Sequence, residues 1–513
     1  MSDRSKIVCI ALDAADQDLL LGWAQAGVLP TVRALMERSA WGSTSTPPGL
    51  FVGAVWPSFY TGVSAARHGR YCYRQLRPGT YRVERLPAAR VGANPFWAAL
   101  SRADRRVAII DVPKTGCAPL NGIQVVDWAT HDPELRGFHT WPPSLARDLG
   151  ARFGPAVLDT CDGRNRTAGQ CADLRDALTA SVARKLELTQ HLLEHGPWDL
   201  FLTTFTECHC AGHQFWHIHD AADPRHDPAV ARRLGDPLRD VYIAIDAAIG
   251  RLLQRIESQA TVFVASSHGM ARHGDMSPAL DEILRRIEGA PPNVSRRRVL
   301  PTILRRAWQR IPAALRGRLK PARNRVVERL ERKALAVDSN RQCFAIPNND
   351  VYGGIRVNLA GREPQGRIRP GRDYEELCER LRRDLCELRD AETGAPVVRA
   401  VLRTADWHRG PLLDHLPDLL VEWSREPTRA VTSSRIGIIQ CQMNFGRTGD
   451  HLPYGCYFAY GPSIEPGHIK QSVEVMDFAP TFAELLGVRL DDVDGRSFAA
   501  LLHRTQPVVA ALS

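Results

Sequence analysis

The chain has 513 residues, 44% of them hydrophobic, which is enough for a large buried core in one big domain with an insertion or cap. No apolar run approaches the ~18 residues of a membrane span, and the apolar part of "MSDRSKIVCIALDAAD" is too short for a signal-peptide core, so the sequence reads as a soluble cytoplasmic protein. Twelve scattered cysteines without a CxxC pair suit buried thiols in a reducing compartment, and the net charge of +10 raises a nucleic-acid reading that its distribution removes.

In chain order, "KIVCIAL" is a short β-branched run that ends at Asp13, followed by helical "QDLLLGWAQAG" and "LPTVRALMERS". "RVAIIDVP", "WDLFLTTF" and "ATVFVASS" are three further buried-strand candidates, separated by helical "SVARKLELTQHLLEHG" and "RDVYIAIDAAIGRLLQRIES". Alternation of this kind predicts an α/β fold with a mostly parallel sheet covered by helices on both faces. Ligands of such folds bind at the carboxyl ends of the strands, which sets Asp13, Glu207 to His213 and the pair Ser267-His268 on one rim. The rhythm breaks from about residue 280 to 350. It resumes with "VYGGIRVNLAGREP", "PDLLVEWS" and "CYFAYGP", and closes on helical "FAPTFAELLG". The expected division is a core from 1 to 280, a basic helical insertion from 281 to 345, and a return to the same core from 346 to 513.

The basic character is local. Between Arg296 and Ala334 there are fourteen Lys/Arg and two Glu, so the rest of the chain is close to neutral. The apolar residues there, from Val299 to Leu319, step by three and four between Pro301, Pro312 and Pro321, the pattern of short amphipathic helices. A solvated face, an acidic partner or an anionic surface fits the segment 296–334. No recognition motif supports sequence-specific nucleic-acid binding.

The stretch "TECHCAGHQFWHIHD", Thr206 to Asp220, holds four histidines and two cysteines. His209 and His213 lie four apart, on one face if the segment is helical. Three histidines with an open fourth position form a recurrent catalytic zinc arrangement. Cys208 and Cys210 are either soft ligands or buried structural thiols, and His217 and His219 read as polar surface. Asp13 follows a buried strand directly, where a carboxylate needs a cation or hydrogen-bond donors.

These landmarks also carry a resemblance. "IALDAADQDLL", "WPSFYTGVSAARHG", "VASSHGM", "DVYGGIRVNLAGREPQG", "RDAETGAPV", "GDHLPYGCYFAYGPSI", "VMDFAPTFAELLGV" and "VDGRSF" occur in that order from about residue 5 to residue 500. Together they resemble type I phosphodiesterase/nucleotide pyrophosphatase-like proteins of the alkaline phosphatase superfamily. The resemblance implies a central sheet between helices and a two-metal site, usually zinc, at which a Thr or Ser attacks phosphorus. It makes Asp13, His213, His268 and His451 metal ligands. His209 stands where the family has an aspartate, and Ser267 where it has the aspartate of an Asp-His pair. The nucleophile position falls near Phe51 or Val52, neither of which has a hydroxyl, with Thr46 and Ser58 the nearest alternatives.

Two zinc ions bring four positive charges, and the chain keeps only Asp13 of the family's three aspartates. Neutral imidazoles bind zinc without cancelling its charge, so one divalent ion is expected, zinc first and iron or manganese next, on His209, His213 and His451. A metal-bound hydroxide needs no protein nucleophile, since zinc brings the pKa of bound water to about 7. Asp13, His268 and Ser267 then orient the water or move its proton, with Glu207 a further candidate base. The expected activity is metal-dependent hydrolysis or transfer at a phosphate ester, phosphodiester or related ester centre of a small anionic molecule. A biosynthetic enzyme acting on a specialised metabolite, or a non-catalytic ligand-binding relative, are the alternatives. The sequence does not fix the oligomeric state.

Overall fold

Apolar β-branched runs such as Ile7–Leu12, buried at every position, form strands that must be covered on both faces. In the computed structural model, which describes residues 5–86, 91–130, 137–154, 166–274, 276–290, 340–348, 351–441 and 446–503, they build a nine-stranded sheet. Its centre is parallel. Ile7–Leu12 lies between Leu200–Phe205 and Thr261–Ser266, with Leu12 opposite both Phe205 and Ser266. This register brings Asp13, Thr206 and Ser267, the next residue of each strand, to one rim. Val107–Ile110 and Gly122–Val126 extend the parallel run on one side, and antiparallel His139–Trp141 closes that edge. On the other side Tyr454–Tyr460 runs antiparallel between Thr261–Ser266 and Ala40–Ser45, and Gly467–Glu474 forms the far edge.

Helices cover both faces, as the alternation predicts. One face packs Leu20, Val32, Leu178, Phe215, Tyr242 and Ile249, and the other Val55, Phe59, Trp97, Phe478 and Phe482. No single helix among the described residues is long and apolar enough to cross a membrane, and the cysteines among them are free thiols.

The chain after the insertion differs from expectation. Rather than rejoin the core at once, Cys343–Ile346, Tyr352–Val357, Leu419–Trp423 and Val398–Arg403 form a separate antiparallel sheet. Helices Ser277–Ile287 and Arg372–Cys386 pack on it, around Leu280, Ile283, Leu381 and Trp423. The strand signals were correct, but periodicity does not say which sheet a strand enters. The main sheet is regained only at Tyr454. A two-stranded ribbon of Gly269–Arg272 and Gly449–Leu452, with Met270 opposite His451, marks the departure and the return. The basic segment 296–334 lies outside the described residues.

Candidate metal centre

Helix Glu207–His219 starts immediately after strand Leu200–Phe205 and is buried nearly all round. Cys208, Cys210, Ala211, Phe215 and Ile218 pack into the hydrophobic core. Burial pushes the Cys208 thiol well above its ordinary pKa. His209 and His213 share one face of this helix, with rings 4.5 Å apart. Gly449 lets the ribbon come close to it: a Cβ there would stand 2.3 Å from the Gly212 carbonyl oxygen. Two hydrogen bonds seal the contact, Thr448 N to the His213 carbonyl at 2.7 Å and His213 Nδ1 to the Gly449 carbonyl at 2.7 Å. The next residue but one, His451, is thereby delivered 4.9 Å from the His209 ring and 4.7 Å from the His213 ring. One ligand atom from each of His209, His213 and His451 lies within 4.8 Å of the others, and all three residues are buried.

The donor set fits a divalent cation. A carbonyl only accepts, so His213 carries its hydrogen on Nδ1 and keeps the Nε2 lone pair for a metal. His451 Nε2 is buried with no hydrogen-bond partner among the described residues. Such an orphan costs about 1–3 kcal/mol, a cost that ligation removes. Burial first, then the charges of His268, His213, Arg447 and Lys114, hold His451 far below its ordinary pKa, the direction that favours a neutral imidazole. A tetrahedral zinc with Zn–N of about 2.1 Å needs roughly 3.4 Å between nitrogens, so modest ring movements close the trio on an ion.

Asp13 and His268, expected as ligands too, are not part of this trio and meet protein partners. Asp13 Oδ1 accepts from Trp56 Nε1 at 2.9 Å and from Ser267 Oγ at 3.4 Å. Ser267 Oγ lies 2.8 Å from His268 Nδ1, and His268 Nε2 lies 2.9 Å from His451 Nδ1. The backbone amide of Ala14 donates to Ser267 Oγ at 3.3 Å, and Ala14 adopts a left-handed φ of 56° that a non-glycine residue rarely takes. Glu207 does not fit the role of general base at the trio. Two residues along a helix turn it by about 200°, so Glu207 faces away from His209 and accepts from Ser181 Oγ at 2.7 Å. Burial raises its carboxyl pKa, opposed by the charge of Lys185.

Each of the four residues near the expected nucleophile position has another setting. Phe51 opens helix Phe51–Thr61 fully buried, with its ring 6.1 Å from that of His268. The Val52 carbonyl accepts from Lys114 Nζ at 2.5 Å. Thr46 Oγ1 donates to the Pro453 carbonyl at 2.8 Å. Ser58 meets His68 Nε2 at 3.1 Å, but His68 Nδ1 accepts from the Arg70 amide, so neutral His68 carries its hydrogen on Nε2 and donates it to Ser58. That is the reverse of an activated serine.

Four neighbours, Trp56, Asp450, Lys114 and Arg447, are absent from the sequence reading of the site. Trp56 supplies the donor for Asp13 from a helix 43 residues downstream. Asp450 accepts the His451 amide at 2.8 Å and pairs with buried His273 at 2.9 Å. Burial works to raise its pKa, yet His273 and then His213 hold it below the usual carboxylate range. Lys114, with Arg447, makes the surroundings of His451 electropositive. Only Asp450, adjacent to His451 in "GDH", was within reach of inspection.

The family model described as type I phosphodiesterase / nucleotide pyrophosphatase matches residues 7–437. No curated protein matches. Among solved structures, phosphonoacetate hydrolase from Sinorhizobium meliloti 1021 in complex with phosphonoacetate is similar at 12% identity and a TM-score of 0.54, covering 94% of this chain and 96% of that one. Its complex with phosphonoformate gives 14% and 0.52, with the same coverage. Human ectonucleotide pyrophosphatase / phosphodiesterase 5 gives 12% and 0.48, covering 96% of this chain and 97% of its own. At these identities the likeness to the hydrolase shows a shared fold.

Proposed function

The chain belongs to the type I phosphodiesterase / nucleotide pyrophosphatase family, and on that premise we propose that it is a hydrolase of small anionic phosphate esters or phosphodiesters that works with one divalent ion on His209, His213 and His451. The observation that carries this reading is the convergence of three buried imidazoles from a helix and a distant ribbon. Zinc suits an all-imidazole set, and when bound it supplies a Lewis acid and a coordinated water with a pKa of about 7.

The chain's own residues do the rest. Lys114 and Arg447 give the region a positive field that attracts an anionic ester and opposes its departure. Arg425, which donates to the His451 carbonyl at 3.0 Å, fixes the ribbon that carries this ligand. The Asp450–His273 pair steadies the same turn and adds negative charge beside a trio that has none. Phe51 and Val52 offer no hydroxyl to form a covalent phosphoryl intermediate, and a water activated by the ion would serve as the nucleophile in this reading.

Elemental analysis of protein purified without chelator or affinity metal tests this, coupled to turnover of p-nitrophenyl phosphate and bis(p-nitrophenyl) phosphate. One ion per chain, with turnover that chelation abolishes and zinc restores, is the expected result. A metal-free chain that takes up no zinc, manganese or iron removes the reading. Bound metal without turnover of either ester moves the activity to other ester or group-transfer chemistry.

A further inference from the structure

The residues the family uses for a second ion are wired to the first site here. We propose that Asp13, Ser267 and His268 form an outer hydrogen-bond chain that holds His451 as a metal ligand instead of coordinating an ion themselves. This inference rests on the reading of His209, His213 and His451 as the metal site.

The direction of every hydrogen bond in the chain follows from its two ends. If His451 offers Nε2 to a metal, its hydrogen sits on Nδ1 and is donated to His268 Nε2 at 2.9 Å. His268 therefore carries its own hydrogen on Nδ1 and donates it to Ser267 Oγ at 2.8 Å. The serine hydroxyl, which also accepts from the Ala14 amide at 3.3 Å, sends its hydrogen to Asp13 Oδ1 at 3.4 Å. Both lone pairs and the single hydrogen of Ser267 are then used, with no conflict. At the far end Trp56 Nε1 can only donate, so Asp13 Oδ1 is an acceptor. Reversing the chain would send the serine hydrogen to His268 Nδ1, leave the Ser267 and Asp13 oxygens facing each other as two acceptors, and put a hydrogen on His451 Nε2, pointing into the trio.

The consequence is chemical. A metal-bound imidazole that donates its other hydrogen toward a carboxylate is a stronger ligand, and its ring orientation and tautomer are fixed. Here the carboxylate acts through two intermediates, and it is the negative charge nearest along the chain to an ion whose three direct ligands are neutral. Asp13, Ser267 and His268 are positioning residues in this arrangement. Ser267 is its necessary joint: an aspartate there would accept from His268 but could pass nothing on to Asp13.

The test is zinc affinity of the full chain, measured by competition with a chromophoric chelator, with the visible spectrum of the cobalt-substituted protein as a second readout. Ser267→Ala is expected to weaken zinc binding by about 10–100-fold at one ion per chain, and Ser267→Thr, which keeps the hydroxyl, to restore it. The cobalt bands are expected to shift in Ser267→Ala and return in Ser267→Thr. Affinity within about twofold of the parent in Ser267→Ala, with an unchanged spectrum, overturns the proposal while leaving the metal site standing. Failure of the parent to bind metal overturns both. If Ser267→Ala does not fold, His268→Gln, which breaks the chain one link closer to the ion, is expected to give the same loss; unchanged affinity there overturns the proposal equally.

Discussion

Ser267→Asp restores the carboxylate that the family carries at this position, and its effect can be worked from distances. Ser267 Oγ lies 3.4 Å from Asp13 Oδ1, and the two residues are 6% and 2% exposed. An aspartate at 267 therefore places two carboxylates about 4 Å apart, where their repulsion at an effective dielectric constant near 20 is about 4 kcal/mol. Without a cation the pair must share a proton or destabilise the fold by several kcal/mol. A divalent ion between the carboxylates and His268 reverses the sign of the interaction. Saturation at 100 times the dissociation constant returns about 2.7 kcal/mol. Urea denaturation of parent and variant, each in chelator and in excess zinc, reads this directly, and elemental analysis reads the stoichiometry. The variant is expected to be much less stable than the parent in chelator, to recover most of that loss in zinc, and to hold two ions where the parent holds one. A variant that holds one ion and shows no more zinc-dependent stabilisation than the parent refutes the charge argument.

His213→Ala removes a ligand and leaves the Gly449 carbonyl without its 2.7 Å donor; metal content is expected to fall away and any ester turnover to drop at least about tenfold, and unchanged metal content strikes His213 from the ligand set. Gly449→Ala puts a Cβ 2.3 Å from the Gly212 carbonyl oxygen, and forcing helix and ribbon apart is expected to lower stability by about 1–3 kcal/mol and to weaken zinc binding; calorimetry showing neither effect rejects the close approach as the device that gathers the trio. His68 is fully buried, and burial first, then Arg70 and His408, push its pKa down to about 3. The unfolded chain takes up this proton at about pH 6.5, so the folded state loses stability as pH falls from there toward 3, at about 1.4 kcal/mol per pH unit for the single group. His68→Gln is expected to flatten the pH dependence of urea denaturation between pH 4 and 6 by that slope, and parallel curves for parent and variant would exclude it.

Much of the site was legible because it obeys two local rules. Asp13 and Ser267 each follow a strand whose apolar run ends abruptly, and parallel pairing of those strands puts both on one rim. His209 and His213 are four apart on a helix, the spacing that stacks side chains on one face. The same geometry shows why Glu207 was misplaced: it is adjacent in sequence but half a turn away, and its partner Ser181 sits on the long helix Ala168–Glu194. What stayed hidden depends on contacts between distant segments. Nothing in "FVGAVWPSFYTG" announces that the Trp56 indole will donate to Asp13, or that Phe51 will stand against His268. The meeting of His268 with His451 depends on the ribbon, whose register sets Met270 opposite His451. The separate sheet between residues 343 and 423 escaped for a similar reason, since its strands look like those of the main sheet until their pairing is seen.

The contact between helix Glu207–His219 and the ribbon joins positions 236 residues apart. An ion held there is a crosslink between two sequence-distant limbs, and its grip is a measure of whether both have been assembled. A fragment ending before Gly449 has two of the three imidazoles and none of the closure, so metal uptake at the proposed site would report completion of the chain rather than formation of the helix. Release would be subject to the same constraint: an ion held by these three residues would leave when the ribbon parts from the helix, which would tie its residence time to a local opening of the fold.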